Sequence, residues 1–424
     1  MPSTLAYTPT SSLTWLDHDA KARERMLSIL YHFQETESRD ELGLGSVRDS
    51  FADQLFPGTS TTWNPLRYMF FVPWIYKHLE AKGTPAKDFE HKLVQWENSL
   101  RIRLGDQPRV IGRIAGKELK TWPSSLYWAS LGHWGIRLTR FSQDEYHKRL
   151  DETYRLRKDL NNLEKQVKAR GDDFDVERRR ETLSWHPKLP RPKIDFAKIG
   201  KAGASWDKKE KQFFSLALTK EEAEFIRERI QSACHGSLLA HLATRPIDIE
   251  TAYPWGLNGR GGFAKEHLEL LEHARLFSEV MHGAALSYNF QLAVLRKEDD
   301  RAAKYKDEFK AWANELSLEA INNWSLERLW KLTSVDGHAI PEKMQIFVKN
   351  WIGYVKNKPQ GLLENEQAKI LVREREKSCK GPHSRFENPR ALAQWGGKSG
   401  ANRLTYRWPN VQQLLKDLYQ GLIA

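Results

Sequence analysis

The chain has 424 residues, 40% hydrophobic and 11% aromatic, and its 67 Lys and Arg against 55 Asp and Glu give a formal charge of +12 at pH 7. That apolar content excludes a largely disordered chain and predicts two or three domains of ordinary size. The two cysteines, Cys234 and Cys379, exclude a disulfide framework or a Cys-rich zinc site, and the surplus charge makes a polyanion the first partner to look for.

In residues 19–33, Met26, Ile29, Leu30 and Phe33 recur at helical spacing, and Asp17 or Asp19 can cap the start. A second helix is expected from Ser46. Ser46 and Asp49 make a capping-box-like pair, Val47, Phe51 and Leu55 share a face, and Pro57-Gly58 stops it. Residues 66–79 are apolar almost all round with Pro73 among them, which predicts a buried helix that kinks or breaks there. A basic stretch, Arg101, Arg103, Arg109, Arg113, Lys117 and Lys120, then leads into Trp122-Pro123 and a short helix ending near Gly135. These helices are expected to form a winged-helix or helix-turn-helix-like unit with Arg113, Lys117 and Lys120 on phosphates; a plain packing unit is the alternative.

Residues 146–167 place Leu156, Leu160, Leu163 and Val167 at steps of four and three, the pattern of a helix with one narrow apolar seam. Residues 168–211 mix alternating charge with Pro187, Pro190, Pro192, Gly200 and Gly203, so they read as a linker between an N-terminal helical domain, 1–167, and a central one, 212–376. Helical rhythm returns in residues 221–234, 265–276, 286–295, 304–316 and 326–330. Residues 377–424 form a basic, aromatic segment expected at the surface, closed by a helix over 411–422 that carries Leu414, Leu415, Leu418 and Tyr419. The fold class that follows is mainly α, in several domains.

The C-terminal segment carries the strongest binding signal. Lys377, Lys380, Arg385, Arg390, Lys398, Arg403 and Arg407 are opposed locally by Glu387 alone, with Phe386, Trp395, Tyr406 and Trp408 between them. Phosphates call for Arg and Lys and unpaired bases for flat rings, so Arg385, Arg390, Lys398, Arg403 and Arg407 with Trp395 and Trp408 are the expected nucleic-acid contacts. Gly396, Gly397 and Gly400 would let backbone amides approach an anion, although GGKSG lacks the earlier glycine of a Walker cradle. The alternative is a closing loop whose Trp395 and Trp408 are core residues. Farther upstream, Glu37, Asp40, Glu41 and Asp49 could hold a divalent metal as a weak catalytic site, or could form an ion-paired turn between the first helices.

No HExxH, GxSxG or GxGxxG pattern occurs, and His186-Pro187-Lys188 has Lys193 where a phospholipase-D-type motif needs its Asp. His235, His241, His267, His273 and His282 stand at mixed spacings that suit core or surface positions better than a metal site, so neither metal nor cofactor is expected. The lack of any apolar run of eighteen residues, and of a signal-like start, leads to the expectation of a cytoplasmic protein without membrane contact.

The runs SSLTWLDHDAKARERML, ETESRDELGLGSVRDSFADQLFPGTST and LRYMFFVPWIYKHLE, and beyond them IAGKELKTWPSSLYWASLGHWGI, resemble an uncharacterised bacterial family known only as a domain of unknown function. The resemblance implies a setting in antiviral defence islands beside helicase and phospholipase-D-like nuclease genes, with the Azaca type as one candidate. It defines no catalytic residues. Together these readings lead to the expectation of a nucleic-acid-binding accessory subunit, with DNA favoured over RNA, that acts beside a helicase or nuclease partner. A divergent metal-dependent nuclease or nucleotide hydrolase and a non-catalytic scaffold are the alternatives.

Overall fold

A computed structural model describes residues 40–59, 65–169, 183–200, 207, 213–335 and 337–424. The expected helix over 19–33 lies outside these residues. Within them the chain is mainly α, with sixteen α-helices; an isolated bridge between Arg137 and Trp185 is the only strand-like pairing among the described residues.

The first six helices are α1 (Gly45–Leu55), α2 (Tyr68–Ala81), α3 (Ala86–Leu104), α4 (Pro123–His133), α5 (Gln143–Lys148) and α6 (Leu150–Ala169). The start of α1 differs from expectation. Its N-cap, Leu44, has no side-chain acceptor, and the carboxylate of Asp40 instead accepts from the amides of Leu44 and Gly45, both at 2.6 Å. Helix α2 runs through Pro73 and buries ten of its fourteen residues, because it is enclosed on all sides.

Between α3 and α4 the chain makes a long irregular connection, residues 105–122, where a helix-turn-helix would have a tight turn. Helix α4 also buries Tyr127, Trp128 and Leu131, so it offers no groove-reading face. In α6, Leu156 and Leu163 are exposed while Leu160 and Val167 are half-buried, so only half of the expected seam is covered. The stretch read as a linker is packed where it is described. Trp185, Leu189, Phe196 and Ile199 are buried, and Trp74 Nε1 donates to the Pro190 carbonyl at 2.7 Å.

The remaining helices are α7 (Lys220–Ala233), α8 (Leu238–Thr244), α9 (Lys265–Leu295), α10 (Asp299–Glu315), α11 (Leu318–Asn322), α12 (Leu326–Thr333), α13 (Glu342–Asn357), α14 (Glu366–Lys380), α15 (Pro389–Ala393) and α16 (Trp408–Ile423). Two segments expected as separate helices merge into the 31-residue α9. The small residues Gly283-Ala284-Ala285 that interrupt the apolar pattern do not end the helix. They admit a neighbour: a Cβ at Gly283 would run into the Trp312 ring of α10.

The apolar core is continuous from Leu42 to Leu418, and polar contacts tie its parts together. Arg67, at the start of α2, meets Glu222 of α7 in a two-bond pair, 3.0 Å each, with both side chains almost fully buried. Its third nitrogen donates to the carbonyls of Phe213 and Ser215, so four of the five N–H donors of this desolvated cation are directed at acceptors. Asp417 of α16 accepts from the Leu66 amide and from two nitrogens of Arg109. No helix among the described residues is long and apolar enough to cross a membrane.

Candidate nucleic-acid interface

The C-terminal segment is drawn against α9 by a polar stripe on that helix. Tyr406 donates to the Ala274 carbonyl, Ser278 donates to the Leu404 carbonyl, and His282 Nε2 contacts the Ala401 carbonyl at 3.0 Å. Farther along, the buried Asn289 donates to the Ser399 carbonyl and accepts from both the Ser399 amide and Trp395 Nε1. Arg296 donates to the Trp395 carbonyl. Positions 274, 278, 282, 289 and 296 repeat at four and seven, so one helical face supplies all five contacts.

This docking decides the fate of the expected contacts. Trp395 and Trp408 are buried, with indole N–H groups on Asn289 and on the Thr251 carbonyl, and the guanidinium groups of Arg296 and Arg301 both lie against the Trp395 ring. Neither ring is open for a base to stack on, and the segment is not the surface strap expected. Arg385 is buried and pairs with Glu41 at 2.7 Å. Arg407 pairs with Asp53 at 2.6 Å. Burial works against the Asp53 charge, yet Arg407 and His338 hold its carboxyl well below the usual carboxylate range. Arg407 and Tyr406 both take left-handed backbone conformations, φ +65° and +51°, to turn the chain into α16.

Arg403 also has a carboxylate partner, Glu279, at 3.0 Å. Lys398 and Arg390 are exposed, as are Arg113 and Lys120 on the connection after α3, and none of these four has a carboxylate partner among the described residues. Lys117 sits in a short 3₁₀ turn, and its side chain lies outside the described residues.

The acidic candidates are engaged elsewhere. Glu37 lies outside the described residues. Asp40 caps α1, Glu41 is counter-ion to Lys380 and Arg385, and Asp49 pairs with Arg48. Of these contacts only Asp49–Arg48 is an ion pair within the segment itself; Glu41 reaches cations more than three hundred residues downstream. Among the described residues no group of three or more His, Cys, Asp or Glu could hold a metal ion.

What the structure does assemble is a cleft of about 650 Å³ between α10 and the C-terminal segment. Helix α10 contributes Arg301, Lys304, Tyr305, Glu308, Trp312 and Glu315 from one face, α9 contributes Glu279 and His282, and the segment contributes Gly396–Lys398 and Ala401–Arg403. Tyr253 completes the lining, stacked on Trp255 with centroids 4.8 Å apart and planes 3° from parallel. The Arg403 guanidinium lies over Tyr253, 4.7 Å from its centroid. Burial and the Arg403 charge push the His282 imidazole down to about 4, so at neutral pH it is uncharged and its Nε2–H donates to Ala401.

Sequence reasoning found Lys398, Arg403 and the glycines of this cleft. It missed Arg301, Lys304 and Tyr253. The signal was present in α10, where charged residues and the rings of Tyr305 and Trp312 share one face at steps of three and four.

The profile of a family of unknown function, DUF6361, matches residues 10–166 and 197–421. The chain belongs to that family. No curated protein and no solved structure matches this DUF6361 chain.

Proposed function

We propose that the chain binds nucleic acid, DNA in preference to RNA, in the cleft between α10 and the C-terminal segment. It would do so as an accessory subunit of a bacterial antiphage defence system whose helicase or nuclease partner carries the chemistry. One observation carries the binding part. Lys398 and Arg403 meet Arg301 and Lys304, about a hundred residues away in sequence, around one concave surface that also holds flat side chains. The accessory role rests on the resemblance of the N-terminal runs.

A fluorescence anisotropy titration with a labelled single strand and a labelled duplex tests the reading. Affinity is expected to fall steeply between 50 and 200 mM salt, as it does when phosphates displace counterions. The Lys304→Glu/Lys398→Glu variant, altered only at exposed positions, should bind at least about tenfold more weakly with a shallower salt slope. Absent binding, or binding indifferent to salt and to both substitutions, would refute the proposal.

A further inference from the structure

The two ends of the cleft differ, and the difference orients a ligand. At one end the chain turns at Gly396–Gly397–Lys398, with Gly397 at φ +85°. The amides of these three residues have no acceptor among the described residues, whereas the next, Ser399, is held by Asn289 at 3.0 Å. Successive free amides in a turn with a left-handed residue make a concavity suited to an anion. The Arg301 guanidinium rests on Gly397, where any Cβ would collide with it, so the bare backbone and the cation lie side by side. Lys398 and Lys304 stand exposed on the same cleft, Lys398 without a carboxylate partner among the described residues, Lys304 with Glu308 3.9 Å away and Arg301 paired with Glu298 at 2.9 Å.

At the other end α10 presents Glu315, about 16 Å along the helix axis from Lys304 at 1.5 Å per residue, which disfavours an anion there. Between the ends the flat groups of Trp255, Tyr253 and Arg403 form a column. The charge of Arg403 is balanced by Glu279, while its Nε is buried without an acceptor. A planar, acceptor-bearing ring added to the column on Arg403 would extend the stack.

We infer that the cleft takes a 5′-phosphorylated nucleotide, with the phosphate on the Gly396–Lys398 turn under Arg301 and Lys304 and the base against the guanidinium of Arg403. This rests on the nucleic-acid reading and specifies which part of the strand enters. The same chemistry is offered by a strand terminus and by a free nucleotide.

The test measures, with the full chain, the affinities of a 5′-phosphorylated single-stranded 12-mer, its 5′-hydroxyl twin, and AMP as competitor and as sole ligand. The phosphorylated strand should bind about tenfold more tightly than its twin, as expected for added charge-assisted bonds, and AMP should displace it. In Lys398→Ala and Lys304→Ala variants that preference should shrink toward unity. Equal, salt-sensitive binding of both strands with no AMP competition would overturn this inference and leave the polynucleotide reading standing. AMP binding that Lys398→Ala weakens, with no strand bound, would support the nucleotide site and overturn the polynucleotide reading. No binding of any of the three would overturn both.

Discussion

Glu97 offers a direct test of the packing argument. It is 2% exposed on α3, and its carboxylate oxygens accept from the amide and hydroxyl of Ser124 in the first turn of α4, at 2.6 and 3.0 Å. Two effects compete. Burial disfavours the charge, and the two donors favour it; burial wins and pushes the Glu97 carboxyl up to about 8. In the unfolded chain the ordinary value is near 4.5. Between those values the folded state holds a proton that the unfolded state has released, so stability is greatest below pH 4.5 and falls as pH rises toward 8. At pH 7 the gap from the ordinary value is about two and a half pH units, which at 1.4 kcal/mol each amounts to about 3 kcal/mol.

Glu97→Gln removes the titration and keeps the shape. The amide oxygen can still accept from the Ser124 amide, and its NH₂ can donate to the hydroxyl. Urea unfolding followed by tryptophan fluorescence should show the variant close to wild type at pH 5 and more stable by about 3 kcal/mol at pH 7, with the difference still growing at pH 8. A variant destabilised by the same amount at every pH would mean that Glu97 is ionised and acts as an anionic cap on α4, and the reasoning would fail.

Two further perturbations bear on the body of the fold. Gly283→Ala places a methyl group in the path of the Trp312 ring, so α9 and α10 must separate; a loss of about 1–3 kcal/mol in urea unfolding is expected. Helical circular dichroism should be retained, and an unchanged midpoint would contradict the close packing. In acid, burial pushes both the His147 and His282 imidazoles down to about 4, with the Arg403 charge adding to the effect on His282. Because the unfolded chain takes up these protons near pH 6.5, stability should fall from pH 6.5 to about 4, by on the order of 3 kcal/mol per histidine. His282→Gln should flatten that slope, and a slope indifferent to the substitution would show that the imidazole does not titrate in this window.

Most helices were legible as helices because an apolar stripe at steps of three and four survives in a single sequence. The starts at Lys220 and Trp408 fall within three residues of expectation. The extent of α9 was less legible, since its Gly and Ala residues look like an interruption until Trp312 is seen filling the space they leave. The site was half visible. Charge interleaved with rings marked the segment from Lys377 to Arg407, yet a sequence does not say whether a Trp faces solvent or Asn289, or whether an Arg has a carboxylate waiting far upstream, as Arg385 has Glu41 and Arg407 has Asp53. The polar positions of α9 could have given warning. Ser278, His282 and Asn289 at helical spacing in an otherwise apolar helix signal that the helix must hydrogen-bond a backbone laid along it.

The same stripe bears on biosynthesis. Until residues 395–424 have emerged, Asn289 and Ser278 lack their partners, Leu66 and Arg109 lack Asp417, and Phe51 lacks the edge of Tyr406. The early helices can form as they emerge but cannot settle, and so the arrival of this segment is also the step that locks the fold. Versions lacking this portion should be poorly soluble.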